Sequence, residues 1–170
     1  MTGSSARLAA FLILAASAAV LGGALLFEHV GELPPCTLCL YERWPYKVAI
    51  ALSLIALMAG ERPATRWVVV LCAGLFAAGA VLAFYHVGVE QHWFAGPSAC
   101  TGTDAAADSV EALKAQIMGK KPVRCDEVPW ALFGVSLAGW NLLASAALAL
   151  FCLAAFRRLG TARRGRGAFA

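Results

Sequence analysis

The chain has 170 residues, of which 61% are hydrophobic and 14% charged, and its net charge at pH 7 is +4. A mean hydropathy of +0.72 excludes an ordinary soluble domain, in which only about half of the residues are apolar. The positive charge comes largely from arginines in the C-terminal tail. It therefore indicates contact with anionic lipid and calls for no nucleic acid.

Long apolar segments predict an all-α fold, a membrane four-helix bundle in a single domain. We expect transmembrane helices at about 8–27, 44–60, 67–87 and 130–156. The second segment is the shortest, and Lys47 beside Trp44 could extend it to the membrane interface. The first could instead be a signal peptide, but its apolar core is too long and no small-x-small cleavage site follows, so we interpret it as an anchor.

The distribution of basic residues predicts the orientation of these helices. Arginines lie before the first helix, between the second and third, and after the fourth: Arg7, Arg62, Arg66, Arg157, Arg158, Arg163, Arg164 and Arg166. Loops 28–43 and 88–129 carry nearly all of the acids. The positive-inside rule then places both termini in the cytoplasm and both loops outside the membrane. In a bacterium the protein would span the inner (plasma) membrane, with these loops in the oxidising periplasm.

The longer outer loop, 88–129, contains a pattern typical of a short helix. Asp108 and Glu111 form an aspartate variant of the capping box. The apolar residues that follow share one helical face: Val110, Leu113, Ile117 and Met118. This pattern predicts either an amphipathic helix on the membrane surface or a solvated helix packed on its own loop.

A Cys-x-x-Cys pair, Cys36 and Cys39, directly follows two prolines and precedes an apolar run. Because proline is tolerated in the first turn of a helix, we expect the pair where a loop becomes a helix. Unpaired N–H groups there favour a thiolate. Arg43, four residues after Cys39, would lie on the same helical face. A dithiol, a helix start and a cation favour a redox site over a structural bridge.

The chain has six cysteines, which fall into two classes. Cys72 and Cys152 lie inside predicted helices, where cysteine behaves as a small hydrophobe. The four in the outer loops allow three disulfide pairings, of which Cys36–Cys39 with Cys100–Cys125 is favoured, because each pair shares a loop. A four-cysteine zinc site is the alternative. The 24 residues between Cys100 and Cys125 disfavour it, so we predict no metal.

His86 lies near the end of the third predicted helix. It could cap that helix or pair locally with Glu90, four residues further on. An ionisable side chain at membrane depth is, however, a functional hypothesis by default.

The chain resembles the disulfide bond formation protein B (DsbB) family of bacterial inner-membrane quinone reductases. The most specific part of this resemblance is the string Cys-Thr-Leu-Cys-Leu-Tyr-Glu-Arg at 36–43. Weaker parts are Pro-Ser-Ala-Cys at 97–100, and Cys125 followed by Trp130, Gly134 and Trp140. With the four predicted helices, the resemblance covers nearly the whole chain.

The resemblance implies a path for electrons. A reduced periplasmic thioredoxin-like oxidase (DsbA) would attack Cys100 of a Cys100–Cys125 disulfide. Cys125 would then attack the Cys36–Cys39 pair, and Cys39 would pass electrons to a membrane quinone, ubiquinone or menaquinone.

The resemblance also implies a quinone site. Arg43 would polarise a quinone oxygen, and Glu42 and His86 would contribute to its protonation or packing. Leu137 stands where better-known members have methionine, and the spacing near His86 is shifted.

Two other classes of protein remain open on the sequence. A disulfide-stapled membrane scaffold explains two bridges but not Arg43 beside Cys39. A transmembrane electron carrier would need a cysteine pair within the membrane, whereas Cys72 and Cys152 are single residues on separate helices.

Overall fold

The computed structural model describes residues 2–59, 64–97 and 123–167. Its elements in chain order are α1 (Thr2–His29), α2 (Thr37–Glu42), α3 (Trp44–Ala59), α4 (Ala64–Glu90), β1 (Ala131–Leu132), β2 (Val135–Ser136) and α5 (Leu137–Gly167). The predicted helical fold class is confirmed. The amphipathic helix predicted around 108–118 lies outside the described residues, as does Cys100.

The four long helices form a closed ring. Around the ring, α1 packs against α3 and α5, and α4 packs against the same two helices. The interior is apolar, with Ile13, Tyr46, Val69 and Phe76 buried together. The rings of Tyr46 and Phe76 lie 5.7 Å apart. Since alanines and cysteines fill the remaining core positions, the helices can approach one another closely.

Three described helices are long and apolar enough to cross a membrane, at Ser5–His29, Thr65–Glu90 and Leu137–Leu159. They match the first, third and fourth predicted spans. The second predicted span corresponds to α3, which has 16 residues. At 1.5 Å per residue, this helix is only about 24 Å long. A bilayer core is about 30 Å thick. That α3 crosses the membrane stays a prediction.

The fourth predicted span begins later than expected, at Leu137 rather than near residue 130. A two-residue hairpin turn precedes it, joining Leu132 to its partner Val135. Phe133 and Gly134 both have positive φ, at 54° and 78°, as a type I′ hairpin turn requires. The Ser136 hydroxyl then accepts the N–H of Gly139 at 3.1 Å and so caps α5.

The third helix also ends later than expected, at Glu90 rather than near residue 87. The chain then folds back, and the N–H of Trp93 donates to the carbonyl of Gly88 at 2.8 Å. A Cβ on Gly88 would overlap the ring of Phe94, so a larger residue here would force that ring to move. As a result, His86 and Glu90 lie at the same end of the bundle as α2.

Candidate functional site

Cys36 is the N-cap residue of α2, as its position after Pro34 and Pro35 predicts. Its backbone is extended, and its sulfur accepts the N–H of Cys39 at 3.3 Å. The side chain is buried, with 5% exposure. The first cysteine of the motif thus takes the role that Ser or Asp usually has at a helix start.

Cys36 and Cys39 are free thiols in this structure, with their sulfurs 2.8 Å apart. A disulfide bond would be about 2.05 Å long, so the structure holds the two thiols close to bonding distance, and the favoured Cys36–Cys39 disulfide stays a prediction. The sulfurs are at hydrogen-bonding distance instead, because one helical turn brings them side by side.

The two thiols of this pair differ in acidity. The hydrogen bond from Cys39 lowers the pKa of Cys36 below its usual value, against the effect of burial. The same hydrogen bond, with burial, raises the pKa of Cys39. In the reduced pair Cys36 is therefore the more acidic of the two thiols.

His86 reaches this dithiol from α4. Its Nε2 lies 3.6 Å from Cys36 Sγ, and its Nδ1 lies 2.7 Å from Glu42 Oε1. His86 and Glu42 are both buried, with 3% and 6% exposure. Since a carboxylate only accepts hydrogen bonds, Nδ1 carries the hydrogen, and Nε2 of the neutral ring is free to accept a proton from Cys36. Glu90, four residues after His86, accepts a hydrogen bond from Ser136.

Arg43 follows α2 with helical backbone angles, so it stays on the face expected from the spacing. Its guanidinium donates to Glu28 at the end of α1. Sequence analysis did not single out Glu28, although an acid near the end of an apolar helix is a signal of function. This ion pair fixes the direction of Arg43 across the gap between α1 and α2.

A cavity of about 350 Å³ lies between these groups. Every described residue predicted to bind quinone lines it, namely Glu42, Arg43, His86 and Leu137, together with both cysteines of the motif. Most of the remaining wall is apolar and comes from α1 and α5. The ring of Trp130 packs 4.8 Å from that of Phe27 and so ties the 123–130 segment to the end of α1.

Cys125 does not line the cavity but lies beside it. It forms a disulfide and is fully buried, in one apolar cluster with Cys36, Leu38 and Val89. Since Cys100 is not described, the predicted Cys100–Cys125 pairing stays a prediction. Cys125 is nevertheless near the first cysteine of the motif.

Sequence reasoning missed several polar residues of this site. Asn141 Nδ2 donates to Glu42 Oε2 at 2.8 Å, and the Ser136 hydroxyl donates to Glu90. Asn141 stands alone as an amide in the apolar run of α5, which is the signal that could have identified it. Its partner Glu42 is distant in the sequence, so only the fold reveals the contact.

Among residues 2–59, 64–97 and 123–167, Cys36, Cys39 and His86 form a cluster that could hold a metal ion. Their potential ligand atoms lie within 4.8 Å of one another. This is not the four-cysteine set that the sequence suggests. Two thiolates on one zinc ion, with bonds of about 2.3 Å, would stand roughly 3.8 Å apart, whereas these sulfurs are 2.8 Å apart. The arrangement fits a hydrogen-bonded dithiol better than a metal site.

The sequence matches the model of a family described as disulfide bond formation protein DsbB over residues 6–155. It is 31% identical over 153 residues to disulfide bond formation protein B of Verminephrobacter eiseniae, covering 86% of this chain and 84% of the relative. The protein of the same name in Stutzerimonas stutzeri is 30% identical over 145 residues, covering 81% and 86%. An uncharacterized protein of Rickettsia prowazekii is 25% identical over 142 residues, covering 82% and 81%. No solved structure matches the chain.

Proposed function

The chain belongs to the disulfide bond formation protein DsbB family, and we propose that it reoxidises a periplasmic DsbA-type dithiol oxidase and delivers the electrons to a membrane quinone. It is a multi-pass membrane protein with three apolar spans. The observation that carries the proposal is the cavity that brings Cys36 and Cys39 together with Arg43 and His86.

The first part of the reaction is thiol–disulfide exchange. A thiolate of the reduced partner attacks Cys100 of the Cys100–Cys125 disulfide and releases Cys125 as a thiolate. The partner's second thiol then displaces Cys100 and leaves the partner with its own disulfide. When the second thiol of the partner is replaced by serine, the reaction should stop with the partner joined to Cys100, visible on a non-reducing gel. A stable complex formed through Cys125 instead would exchange the two roles.

The second part transfers the electron pair inward. Cys125 attacks Cys36 of an oxidised Cys36–Cys39 bridge, and Cys39 leaves as the thiolate. The burial of Cys125 in the same cluster as Cys36 supports attack on that sulfur rather than on Cys39. Cys100 then attacks Cys125 in the mixed disulfide. This restores the outer bridge and leaves Cys36 and Cys39 reduced, as they are in the structure.

The cavity fits a quinone. Its volume of about 350 Å³ lies in the range of small-molecule sites, about 300–1,000 Å³, and such sites pair apolar walls with a few polar groups. A bound quinone would accept two electrons and two protons from the dithiol. Arg43 would hold a quinone oxygen and offset negative charge there. His86 Nε2 would take the Cys36 proton, and Glu42 would stabilise the resulting imidazolium.

We further propose that both termini are cytoplasmic and that the cavity faces the periplasm. The end of α1, the end of α4 and the start of α5 meet at the cavity, so the dithiol lies at one end of the bundle. Arg66 lies towards the other end, where its guanidinium stacks 4.2 Å from the ring of Phe156. Impermeant thiol reagents should label Cys100 in intact cells once its predicted disulfide with Cys125 is reduced. Labelling only after lysis would reverse the orientation.

Reduction of quinone by the purified protein tests the activity. With a reduced thioredoxin-like donor in detergent or vesicles, the absorbance of ubiquinone should fall only when donor and protein are both present. A disulfide-stapled scaffold, in contrast, would keep its bridges oxidised in quinone-depleted membranes. Absence of turnover with both ubiquinone and menaquinone would reject the proposal.

A further inference from the structure

A chain of hydrogen bonds continues from Glu42 into the interior of the bundle. Asn141 Nδ2 donates to Glu42 Oε2 at 2.8 Å, and the Tyr46 hydroxyl donates to Asn141 Oδ1 at 2.6 Å. The Tyr46 oxygen also lies 2.7 Å from Ser145 Oγ. Tyr46 and Ser145 are buried, with 2% and 0% exposure. These polar side chains come from α3 and α5 and meet in an otherwise apolar interior.

The donors in this chain all point the same way. Because the Tyr46 hydroxyl donates its hydrogen to the Asn141 oxygen, it must accept a hydrogen bond from the Ser145 hydroxyl. The amide of Asn141 is thereby oriented with its NH₂ towards Glu42. Both Glu42 oxygens are then engaged, one by Asn141 and one by His86. The carboxylate cannot turn without breaking a buried hydrogen bond, which is costly.

We propose that Asn141, oriented by Tyr46, is a positioning residue that holds Glu42 and through it keeps His86 Nε2 directed at Cys36. Buried carboxylate and amide partners of a reactive histidine set its tautomer and ring orientation. The expected effect of Asn141 on turnover rests on the proposed function. Its geometry is independent of any quinone or partner.

The consequence concerns the proton of Cys36. Oxidation of the dithiol releases two electrons to the quinone acceptor and two protons. With His86 held in place, the Cys36 proton passes to Nε2, and the resulting imidazolium faces Glu42. If Asn141 is removed, Glu42 can rotate and His86 is less well oriented. The Cys36 thiolate then loses a favourable neighbour and should form at higher pH.

Other titratable groups around Cys36 remain unchanged in this test. Cys39 lies on α2, the helix that Cys36 caps, and Glu90 lies on α4 with His86. Arg43, Arg124 and Glu127 line the same cavity. Since no variant below alters these groups, a shift in the behaviour of Cys36 would report on the Asn141–Glu42–His86 geometry.

The experiment measures the rate of Cys36 alkylation against pH in the reduced, purified full-length protein. Tyr46→Phe removes one hydroxyl and keeps the ring against Phe76, whereas Asn141→Leu removes the amide. Both should move the midpoint to higher pH, by about half a unit or more. Ser53→Ala is the matched control, since it removes a buried hydroxyl of α3 outside this chain and should leave the midpoint unchanged.

Turnover provides the second readout. Both variants should lower kcat about three- to tenfold with little change in the KM for quinone. Tyr46→Phe should add little in an Asn141→Leu background, because the two act through one bond chain. Tyr46→Phe is nearly isosteric, so it stands as the test if Asn141→Leu fails to fold.

Two results would overturn the inference. An unchanged alkylation midpoint in Tyr46→Phe would show that the chain of hydrogen bonds is only structural. A raised KM with an unchanged midpoint would make Asn141 a ligand contact instead. Failure of the proposed function is distinguishable, because wild-type protein would then reduce no quinone while the alkylation midpoints still report on positioning.

Discussion

Two pairs of cysteines in this protein differ more in their polar neighbours than in burial, since Cys36, Cys72 and Cys152 are buried and Cys39 is partly buried. Cys72 and Cys152 are fully buried among apolar side chains of the bundle core. Cys36 and Cys39 lie at one end of the bundle, against a backbone N–H, an imidazole and a carboxylate. All four are free thiols. We therefore expect neighbouring donors and acceptors, rather than burial, to decide which thiol can become a nucleophile.

The largest expected effect is on quinone reduction, when one cysteine of each pair is substituted. Cys39→Ser should reduce quinone reduction to the background rate, because no dithiol remains beside the cavity, while the partner still forms a mixed disulfide with Cys100. Cys152→Ala should retain turnover within about twofold, since this cysteine acts as a small hydrophobe. Quinone absorbance and non-reducing gels measure both. Near-normal turnover in Cys39→Ser would invalidate the relay order.

Removal of the cation beside the reactive pair should have the next largest effect. Arg43→Ala should raise the apparent KM for quinone about ten- to a hundredfold, because a hydrogen bond to a charged group contributes about 1.5–3 kcal/mol. The outer disulfide should still form. Glu28→Gln, which only frees Arg43 from its ion pair, should have a smaller effect. An unchanged KM in Arg43→Ala would remove Arg43 from the quinone site.

The pH dependence of alkylation should distinguish the thiols without mutation. The pKa of Cys36 is lowered by its hydrogen bond from Cys39, so its thiolate persists below the usual thiol range and disappears as pH falls through the lowered pKa. The pKa of Cys39 is raised, so Cys39 should react only at higher pH. Mass spectrometry of alkylated peptides measures both, and denatured protein, with midpoints near about 8.5, is the control. Equal midpoints for the two native thiols would contradict this asymmetry.

The smallest expected effect concerns the apolar wall of the cavity. Leu137→Met introduces the residue that the resemblance leads one to expect. Because leucine and methionine have similar volumes, such exchanges usually cost less than about 1.5 kcal/mol. The KM for quinone should change by less than about threefold. A larger change would show that the wall contacts the ring closely at this position.

Several features of this site could be read from residues near one another in the sequence. The prolines before Cys36 predicted a helix start there, and the spacing of Arg43 from Cys39 predicted a shared face. Composition also predicted the helical class and three of the membrane spans. The start of α5 was misplaced because the apolar residues 131–136 form a hairpin, and apolar content alone does not distinguish a short turn from a helix.

By itself, the sequence determined the fold class and the place of the Cys-x-x-Cys pair at a helix start, because helical periodicity, capping and the Cys-x-x-Cys spacing act between residues close in the chain. Only the tertiary structure decided which partners surround that pair. Glu28, His86 and Asn141 come from three different helices, and their contacts with Arg43, Cys36 and Glu42 span many residues. Such contacts depend on how the helices are rotated and packed. The local sequence pattern does not specify helix rotation and packing, because these depend on the sum of many small contacts across the bundle.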